Sequence, residues 1–459
     1  MEQSVITRTV TVAAGRFAPG HLGELTQQVP FELVDAVLAA TGRTQSRIRD
    51  LPARVVVYLL VAGCLFAELG YVQVWQRLTA GLDGLKVATP TASALTQARR
   101  RLGPAPLRAL FELLCGPAPT AASHGVRVGG LLVCAIDGTT LSVPDTPANL
   151  GVFTTQSGNH GGSGYPLLRL VALVACGTRS LINVAFGPTS NGETTMCDRL
   201  VASLHAGMLV LCDRNLTTNT LTRRIAATDA QLLGRCKANR KLPVLRRLHD
   251  GSYLSVMGGI TVRVIHAEIT VATSAGRATG SYRLATTLLE PRSWPAAALV
   301  ALYHQRWEIE TAYLELKSSI LSGRVLRART PAGVDQEVYA LLVCYQLLRL
   351  AMADATSTQP GIDPDRASFT IALQAARDQL IQAAGVLATT SIDLVGKLGR
   401  AVLDNLLADR RLRVSPRVVK RAISKYNARG PNINRTGYKA TVSIDILIPT
   451  APLTTGPGP

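Results

Sequence analysis

The spacing of apolar residues changes near residue 130. Up to about residue 125, apolar positions recur at intervals of three and four residues, which predicts helices. The predicted helices are one that begins with Leu33, Val34, Val37 and Leu38, and others over 54–69, 91–103 and 104–114. Gly103 and Pro104 separate the last two, as a pair that ends one helix and opens the next. A helical N-terminal domain is therefore expected over 1–125.

Short, apolar runs follow and predict strands. The predicted strands lie over 131–136, 167–176, 180–186, 208–212 and 231–236, with helices over 192–204 and 216–227. Gly177 and Thr178 mark a turn between the second and third strands. The order β-β-β-α-β-α-β indicates the α/β fold class with a mixed sheet.

A second β-rich segment interrupts this order. Residues 239–290 alternate with period two between glycine turns, which predicts an antiparallel β insertion. A long helical stretch opened by Pro295 follows, and further helices are predicted over 337–354, 367–385 and 391–408. The expected regions after the N-terminal domain are an α/β domain in two parts (126–238 and 283–350), the β insertion between them (239–282) and a helical C-terminal region (351–459).

The net charge indicates which class of molecule the protein binds. Lys and Arg outnumber Asp and Glu by 49 to 30, which gives +19, and the pI is near 10.1. Eight of the basic residues are Lys and 41 are Arg, whose guanidinium suits bidentate phosphate contacts. A polyanion, most simply nucleic acid, is the expected partner. A genome composition rich in Ala, Gly and Arg is the alternative explanation.

Two segments concentrate the positive charge. Residues 410–439 hold ten basic residues and no acidic one, and such a run repels itself unless a polyanion lies nearby. Arg417, Lys420 and Arg421 are its candidate DNA contacts. Arg99, Arg100 and Arg101 end a predicted helix. They form either a DNA-contacting unit or an ordinary solvated helix end.

Cysteine usage and apolar runs bear on the compartment. The eight cysteines are scattered without a CxxC pair, which predicts buried free thiols in a reducing, cytoplasmic compartment. The longest apolar run, 55–67, is too short to cross a bilayer, so no membrane partner is expected.

SGNHGGSG (157–164) lacks the Lys-Ser/Thr of a P-loop and is interpreted as a flexible loop. Its His160 is a minor candidate for DNA contact.

Two carboxylates end apolar strands. Asp137 closes LLVCAID, and Asp213 closes MLVLCD. A strand of this kind delivers its last side chain to the carboxyl edge of the sheet, where ligands of open α/β sheets bind. Asp is also common in turns, so each residue alone is a weak signal. Asp145, in the turn SVPD, is a rival for the same role.

A third carboxylate lies on the helix YHQRWEIETAYLELK. At 100° per residue, Tyr303, Arg306, Glu310 and Lys317 fall within a stripe about 60° wide, beside an apolar stripe. The projection directs Glu308 and Glu315 toward solvent and favours a core position for Trp307. The alternative is an ordinary i,i+4 pair of Arg306 and Glu310, which stabilises a helix by about 0.3 kcal/mol.

Two strand-end Asp residues and one helix Glu form a set of hard oxygen donors. Such carboxylates repel one another and are held ionised by divalent cations. Two Mg²⁺ ions about 3.5–4 Å apart activate a nucleophile and stabilise a leaving oxygen in phosphoryl transfer. Mg²⁺ suits the set better than Zn²⁺, because no cluster of His and Cys is present. We expect Mn²⁺ to substitute for Mg²⁺.

These residues resemble a known family, the insertion-sequence-four family of bacterial DDE transposases. Tyr303, Arg306, Glu310 and Lys317 match its helix motif Tyr-x2-Arg-x3-Glu-x6-Lys at every spacing. DGTT (137–140) and DRN (213–215) are similar to its two Asp motifs, and the resemblance reaches PRVVKR (416–421). It implies an RNase H-like catalytic domain with the Asp residues on the first and fourth strands, the Glu on a later helix and a β insertion before that helix.

The resemblance implies that Asp137, Asp213 and Glu310 are the catalytic metal ligands. Arg306 and Lys317 then hold DNA phosphates, Tyr303 lies near the distorted DNA end, and Arg214 is a further DNA contact. The implied activity is Mg-dependent cutting of terminal inverted repeats, through a hairpin, and joining of the 3′-OH ends to target DNA by a homodimer in a synaptic complex. In this reading the N-terminal domain binds the DNA ends.

Three alternatives stay open. The first is a transposase-derived DNA-binding protein or nuclease without transposition. The second is a basic regulator that uses only the N-terminal helices. The third is a metal-dependent phosphatase for small molecules, which leaves the charge of +19 unexplained.

Overall fold

The computed structural model describes residues 8–47, 49–118, 126–155, 164–359, 361–382, 396–408, 413–414 and 438–448. Its strands are β1 (Arg8–Val12), β2 (Arg16–Gly20), β3 (Arg127–Val128), β4 (Leu131–Ser142), β5 (Leu167–Ala175), β6 (Leu181–Pro188), β7 (Met208–Cys212), β8 (Gln231–Arg235), β9 (Arg246–Arg247), β10 (Tyr253–Met257), β11 (Ile260–Thr273), β12 (Gly276–Thr286), β13 (Arg413–Val414) and β14 (Tyr438–Ile446).

The α-helices alternate with these strands along the chain. They are α1 (Phe31–Ala40), α2 (Ala53–Leu65), α3 (Tyr71–Thr79), α4 (Ala92–Leu102), α5 (Ala105–Leu114), α6 (Pro147–Leu150), α7 (Glu193–Leu200), α8 (Asn219–Ala226), α9 (Ala296–Tyr303), α10 (Trp307–Leu314), α11 (Pro331–Ser357), α12 (Phe369–Ile381) and α13 (Gly396–Asp404). Short 3-10 turns occupy Ala13–Gly15, Leu25–Gln27, Val201–Ser203, His304–Arg306 and Pro364–Arg366.

The N-terminal region is mainly helical, as the apolar spacing predicts, but it opens with a hairpin that the pattern missed. β1 and β2 pair antiparallel from Arg8↔Gly20 to Val12↔Arg16. Five-residue strands are too short to give a clear alternation. Behind the hairpin, α2 is buried on every side except at Arg54. Full burial explains why this helix is apolar around its whole circumference.

The central sheet has the RNase H-like arrangement. Its strands lie in the order β6-β5-β4-β7-β8. β4, β7 and β8 are parallel, while β5 and β6 are antiparallel to their neighbours. Numbered from β4, this order is 3-2-1-4-5. Asp137 lies on β4, the first strand of this set, and Asp213 directly follows β7, the fourth. The predicted fold class is therefore confirmed.

The first strand is longer than predicted. β4 continues through Asp137 to Ser142, because its antiparallel pairing with β5 continues to Ser142↔Leu167. The prediction that Asp137 ends its strand is therefore wrong. The parallel pairing with β7, however, stops at Ile136↔Cys212. Asp137 and Asp213 follow this last parallel pair directly, so both lie at the carboxyl edge of the parallel ladder.

The β insertion extends the same sheet. β12 pairs antiparallel with β8, from Leu284↔Arg235 to Thr286↔Leu233. β11 then pairs with both β12 and β14, and β10 pairs with β11. Together with the short strands, the described residues form one sheet of twelve strands. The C-terminal strand β14, which the sequence pattern did not predict, thus closes back onto the insertion.

Two helical segments pack on one side of the sheet. The stretch opened by Pro295 is divided into α9, the 3-10 turn His304–Arg306, α10 and a π-helical turn, Glu315–Ile320. α11 runs behind it. Of the described residues, α11 is the one helix long and apolar enough to cross a membrane, and 78% of its apolar window is buried inside the fold. It is the central core helix.

Candidate active site

The strand carboxylate Asp137 is fixed by backbone contacts on both sides. Gly138 donates its N–H to Asp137 Oδ1 at 2.8 Å. The Tyr313 hydroxyl, on α10, donates to the Asp137 carbonyl at 2.5 Å and accepts from the Ala172 N–H of β5 at 3.1 Å. This buried tyrosine ties α10 to two strands at the site. The spacing of apolar residues on this helix gave no sign of these hydrogen bonds.

Asp213 begins the turn that follows β7. Its carbonyl accepts the N–H groups of Leu216 and Thr217 at 3.0 and 3.1 Å, which tightens the chain directly after the strand. The side chain is partly exposed. Its charge acts on both Asp137 and Arg306. The structure therefore brings Asp213 into electrostatic range of the other predicted site residues.

Glu310 reaches the site through Arg306. Arg306 donates from Nη1 to Asp137 Oδ2 at 3.0 Å and from Nη2 to Glu310 Oε1 at 2.9 Å. One guanidinium thus bridges the strand carboxylate and the helix carboxylate. The pair of Arg306 and Glu310 is more than an isolated i,i+4 contact on a solvated helix, because its arginine also binds β4.

The local charges shift the pKa values of this group. Burial raises the pKa of Asp137 to about 6; the Gly138 N–H and Arg306 oppose the rise, and the charges of Glu193 and Asp213 add to it. Burial lowers the pKa of Arg306, but Tyr303 and the surrounding carboxylates outweigh it, so the net shift is upward. The arginine therefore stays charged among the carboxylates.

The other members of the helix line also lie along the edge of the sheet. Tyr303 is buried, and its hydroxyl donates to the Cys212 carbonyl at 3.0 Å. Lys317 donates from Nζ to Thr139 Oγ1 at 3.2 Å. Arg214 is exposed beside Asp213, and Asp145 is exposed on its turn. His160, Arg417, Lys420 and Arg421 lie outside the described residues.

Two predictions about the helix faces are wrong. Glu308 and Glu315 do not point to solvent: they are 7% and 6% exposed. Both ion-pair with Arg179, which lies in the turn between β5 and β6. Trp307 is not in the core, since it is 58% exposed. The buried surface of this helix includes the side that faces Arg179, so it is wider than one apolar stripe, and it leaves Trp307 outside.

The donor set suits a hard divalent cation. Asp137, Asp213 and Glu310 offer carboxylate oxygens, the ligands that Mg²⁺ and Mn²⁺ prefer. In the described part of the chain, no three His, Cys, Asp or Glu side chains are already gathered closely enough to hold a metal ion. Arg306 lies between Asp137 and Glu310 instead. The residue types therefore fit the cation, and Arg306 has to shift before both carboxylates can share it.

The family comparisons agree with this geometry. A model described as insertion element 4 transposase N-terminal matches residues 19–112, and one described as transposase DDE domain matches residues 129–347. The second range contains Asp137, Asp213 and Glu310. DDE transposase domains generally use divalent metal ions.

Individual proteins are similar over large parts of the chain. Transposase InsG for insertion sequence element IS4, of Escherichia coli strain K12, is 27% identical over 86% of this chain and 91% of its own length. Putative transposase InsZ of the same strain is 28% identical over 41% of this chain and 62% of its own length. The cryo-EM structure of a piggyBac transposase synaptic complex with hairpin DNA covers 82% of each chain, at 12% identity and a TM-score of 0.39.

The two family models cover the helical N-terminal region and the sheet domain, and InsG aligns over most of both chains. The function class is that of a DNA transposase, an enzyme that cuts and transfers DNA. The chain belongs to the insertion element 4 family of DDE transposases.

Proposed function

We propose that Asp137, Asp213 and Glu310 form one metal-dependent centre that cuts the terminal inverted repeats of an insertion element. The observation that carries the proposal is the Arg306 bridge, which joins the Asp137 and Glu310 carboxylates through contacts of 3.0 and 2.9 Å. Mg²⁺ is the proposed cofactor, as two ions, with Mn²⁺ as a substitute. Bound ions of this kind lower the pKa of water and stabilise a leaving oxygen.

The proposed chemistry has four steps. Water attacks the phosphorus at the repeat boundary, the P–O3′ bond breaks, and the 3′-OH takes up a proton. That 3′-OH next attacks the phosphorus of the opposite strand at the element end, the P–O3′ bond to the flanking DNA breaks, and a hairpin forms while the flanking DNA leaves with a 3′-OH. Water then attacks the hairpin phosphorus and releases the element's 3′-OH again. Finally, each 3′-OH end attacks a phosphorus of target DNA, and the P–O3′ bond of the target strand breaks. A homodimer that holds two ends in a synaptic complex is the proposed assembly.

Side chains beside the centre are the proposed contacts of the DNA end. Arg306 and Lys317 are assigned to phosphates, for which a guanidinium fork and a mobile ammonium are suited. Arg214 is exposed and adjacent to Asp213. Tyr303 is assigned to the distorted end, which requires the end to approach the edge at Cys212. The exposed indole of Trp307 is a stacking surface next to Arg306, and the basic segment 410–439 is a further contact.

A cluster of arginines supports a DNA-binding role for the N-terminal region. Arg43, Arg47, Arg49 and Arg101 line a surface pocket of about 280 Å³ between α4 and the segment after α1. Within the described residues, none of the four forms an ion pair with a carboxylate. Burial and the charge of Arg49 lower the pKa of Arg101. DNA phosphates would relieve this repulsion.

The test is the identity of the products on labelled DNA. The substrate is a duplex that carries the inverted repeat flanking the element, incubated with purified protein and Mg²⁺. The proposal predicts a nick at the repeat boundary, a 3′-OH product and then a hairpin on a denaturing gel. Asp137→Asn and Asp213→Asn should abolish all three products and keep DNA binding. Cleavage at unrelated sites would favour a transposase-derived nuclease, and binding without cleavage a DNA-binding protein.

A further inference from the structure

A fourth carboxylate, Glu193, lies at the same edge of the sheet. It is the first residue of α7, the helix that follows β6. Met196, Cys197 and Leu200 bury the inner face of this helix against the sheet. The packing leaves Glu193, which is partly exposed, over the strand that carries Asp137.

The contact between Glu193 and Gly138 is unusually close. A Cβ added to Gly138 would lie 2.3 Å from Glu193 Oε1 and 3.1 Å from its Cδ. The Glu193 carboxylate therefore occupies the space that any other side chain at position 138 would fill. Gly138 has an ordinary extended backbone here, so the need for glycine comes from this close approach and not from its conformation.

The Glu193 carboxylate lies against Gly138, the residue that follows Asp137 directly in β4. Among the described residues, no Lys, Arg or His forms an ion pair with Glu193. Arg306, the positive charge at the centre of the site, binds Asp137 and Glu310 instead. Two carboxylates so placed favour a shared cation.

We infer that Glu193 is a fourth carboxylate of the catalytic centre and binds the divalent cation together with Asp137. The inference rests on the proposed function, because it assigns a further ligand to the same metal site. It predicts that Glu193 contributes to cation affinity before DNA is bound. A residue that merely starts a helix would not do so.

The test measures Mn²⁺ affinity of the full-length, DNA-free protein by electron paramagnetic resonance titration. Glu193→Gln should weaken Mn²⁺ binding by about 10- to 100-fold, the reduction usual when a group that supports a metal site is removed. The Mg²⁺ concentration for half-maximal DNA cleavage should rise in parallel. Asp198→Asn is the matched control: it removes a carboxylate from the same helix, but one that pairs with Arg224 at 3.0 Å. The control should bind Mn²⁺ like wild type.

A second variant perturbs the position of the carboxylate and keeps its charge. Gly138→Ala should displace the Glu193 side chain and also weaken Mn²⁺ binding. Because both changes act through one carboxylate, their effects in the double variant should not add. If Glu193→Gln folds poorly, Gly138→Ala alone tests the inference, since it should weaken Mn²⁺ binding while the carboxylate is retained.

The outcomes separate the inference from the proposed function. If Asp137→Asn loses Mn²⁺ and cleavage while Glu193→Gln matches wild type in both, the inference is wrong and the proposed function stands. If Asp137→Asn also keeps Mn²⁺ binding and cleavage, the proposed function itself fails. Additive effects of Gly138→Ala and Glu193→Gln would likewise overturn the role of Glu193.

Discussion

Replacing Arg179 with Met tests how the helix that carries Glu310 is held in place. Arg179 is 4% exposed and ion-pairs with Glu308 at 2.5 Å, with Glu315 at 3.3 Å and with Asp365. Glu308 lies on α10 and Glu315 in the π-helical turn after it. A single guanidinium therefore ties both ends of this segment to the turn after β5. Glu315 has a second partner in Arg349.

The expected effect follows from burial and charge. Among the described residues, two arginines, Arg179 and Arg349, pair with the carboxylates of this cluster, and Arg179→Met removes the one that contacts Glu308, Glu315 and Asp365. Removing one partner of a buried ion pair destabilises by about 3–5 kcal/mol, because the remaining charge stays buried. Arg179 has a positive φ of 56°, a conformation that Met and Arg adopt at similar cost. The destabilisation should therefore come from the charge and not from the backbone.

The assay is hydrogen exchange with mass spectrometry on peptides that cover 307–320. A destabilisation of 3–5 kcal/mol corresponds to exchange that is about 10²- to 10⁴-fold faster, at 1.4 kcal/mol for each factor of ten. Arg108→Ala is the control, since it removes an exposed i,i+4 pair with Glu112 at 2.8 Å that stabilises by about 0.3–0.5 kcal/mol. It should leave 307–320 unchanged. An Arg179→Met exchange rate within threefold of wild type would show that Arg179 does not hold this segment.

Three further predictions address pH, stacking and DNA affinity. Burial lowers the pKa of His21 to about 4, so the neutral imidazole stabilises the folded state fully above pH 6.5 and this stabilisation is lost as pH falls toward 4. The loss in the free energy of unfolding is at most about 3 kcal/mol. The thermal unfolding temperature of wild type should fall over this pH range, and His21→Gln should reduce the pH dependence. Trp307→Ala should change the free energy of unfolding by less than about 0.5 kcal/mol, since the side chain is exposed, but should lower the yield of hairpin product. The double variant Arg49→Gln/Arg101→Gln should weaken DNA binding, measured by fluorescence anisotropy. The slope of the logarithm of the binding constant against the logarithm of the salt concentration should become smaller by about one for each phosphate that is no longer neutralised.

The parts of the site that were predictable are those with local signals. The runs before Asp137 and Asp213 are apolar because their strands are covered on both faces, and the parallel register then brings the two residues to one edge. The helical spacing of Tyr303, Arg306, Glu310 and Lys317 places them along that edge. These features depend on a few neighbouring residues, so a single sequence contains them.

The parts that were missed depend on partners far away in the chain. Arg179 is 129 residues from Glu308 and 136 from Glu315, and it lies in a turn that the sequence presents as solvated. No local pattern indicates that two glutamates on the outer face of a helix will meet a buried arginine. Trp307 shows the converse, because a large apolar side chain enters the core only where a facing element covers it.

Glu193 was missed for a different reason. An acidic residue in the first turn of a helix is ordinary, since it interacts favourably with the helix dipole. Its closeness to Gly138 appears only when α7 packs against β4. The glycine of DGTT was the one signal in the sequence, because a glycine beside a strand carboxylate marks a close approach by another group.

The decisive measurement for the proposed catalytic centre compares binding and cutting by Glu310→Ala on the same DNA. The labelled duplex carries the terminal inverted repeat, and both reactions are followed with Mg²⁺ and with a chelator. We expect the variant to bind the repeat as wild type does and to cut it at least 10²-fold more slowly, which is about the effect of removing one group that stabilises the transition state. If Glu310→Ala cuts the repeat at the wild-type rate, Glu310 is not a member of the centre, and its contact with Arg306 is an ordinary salt bridge.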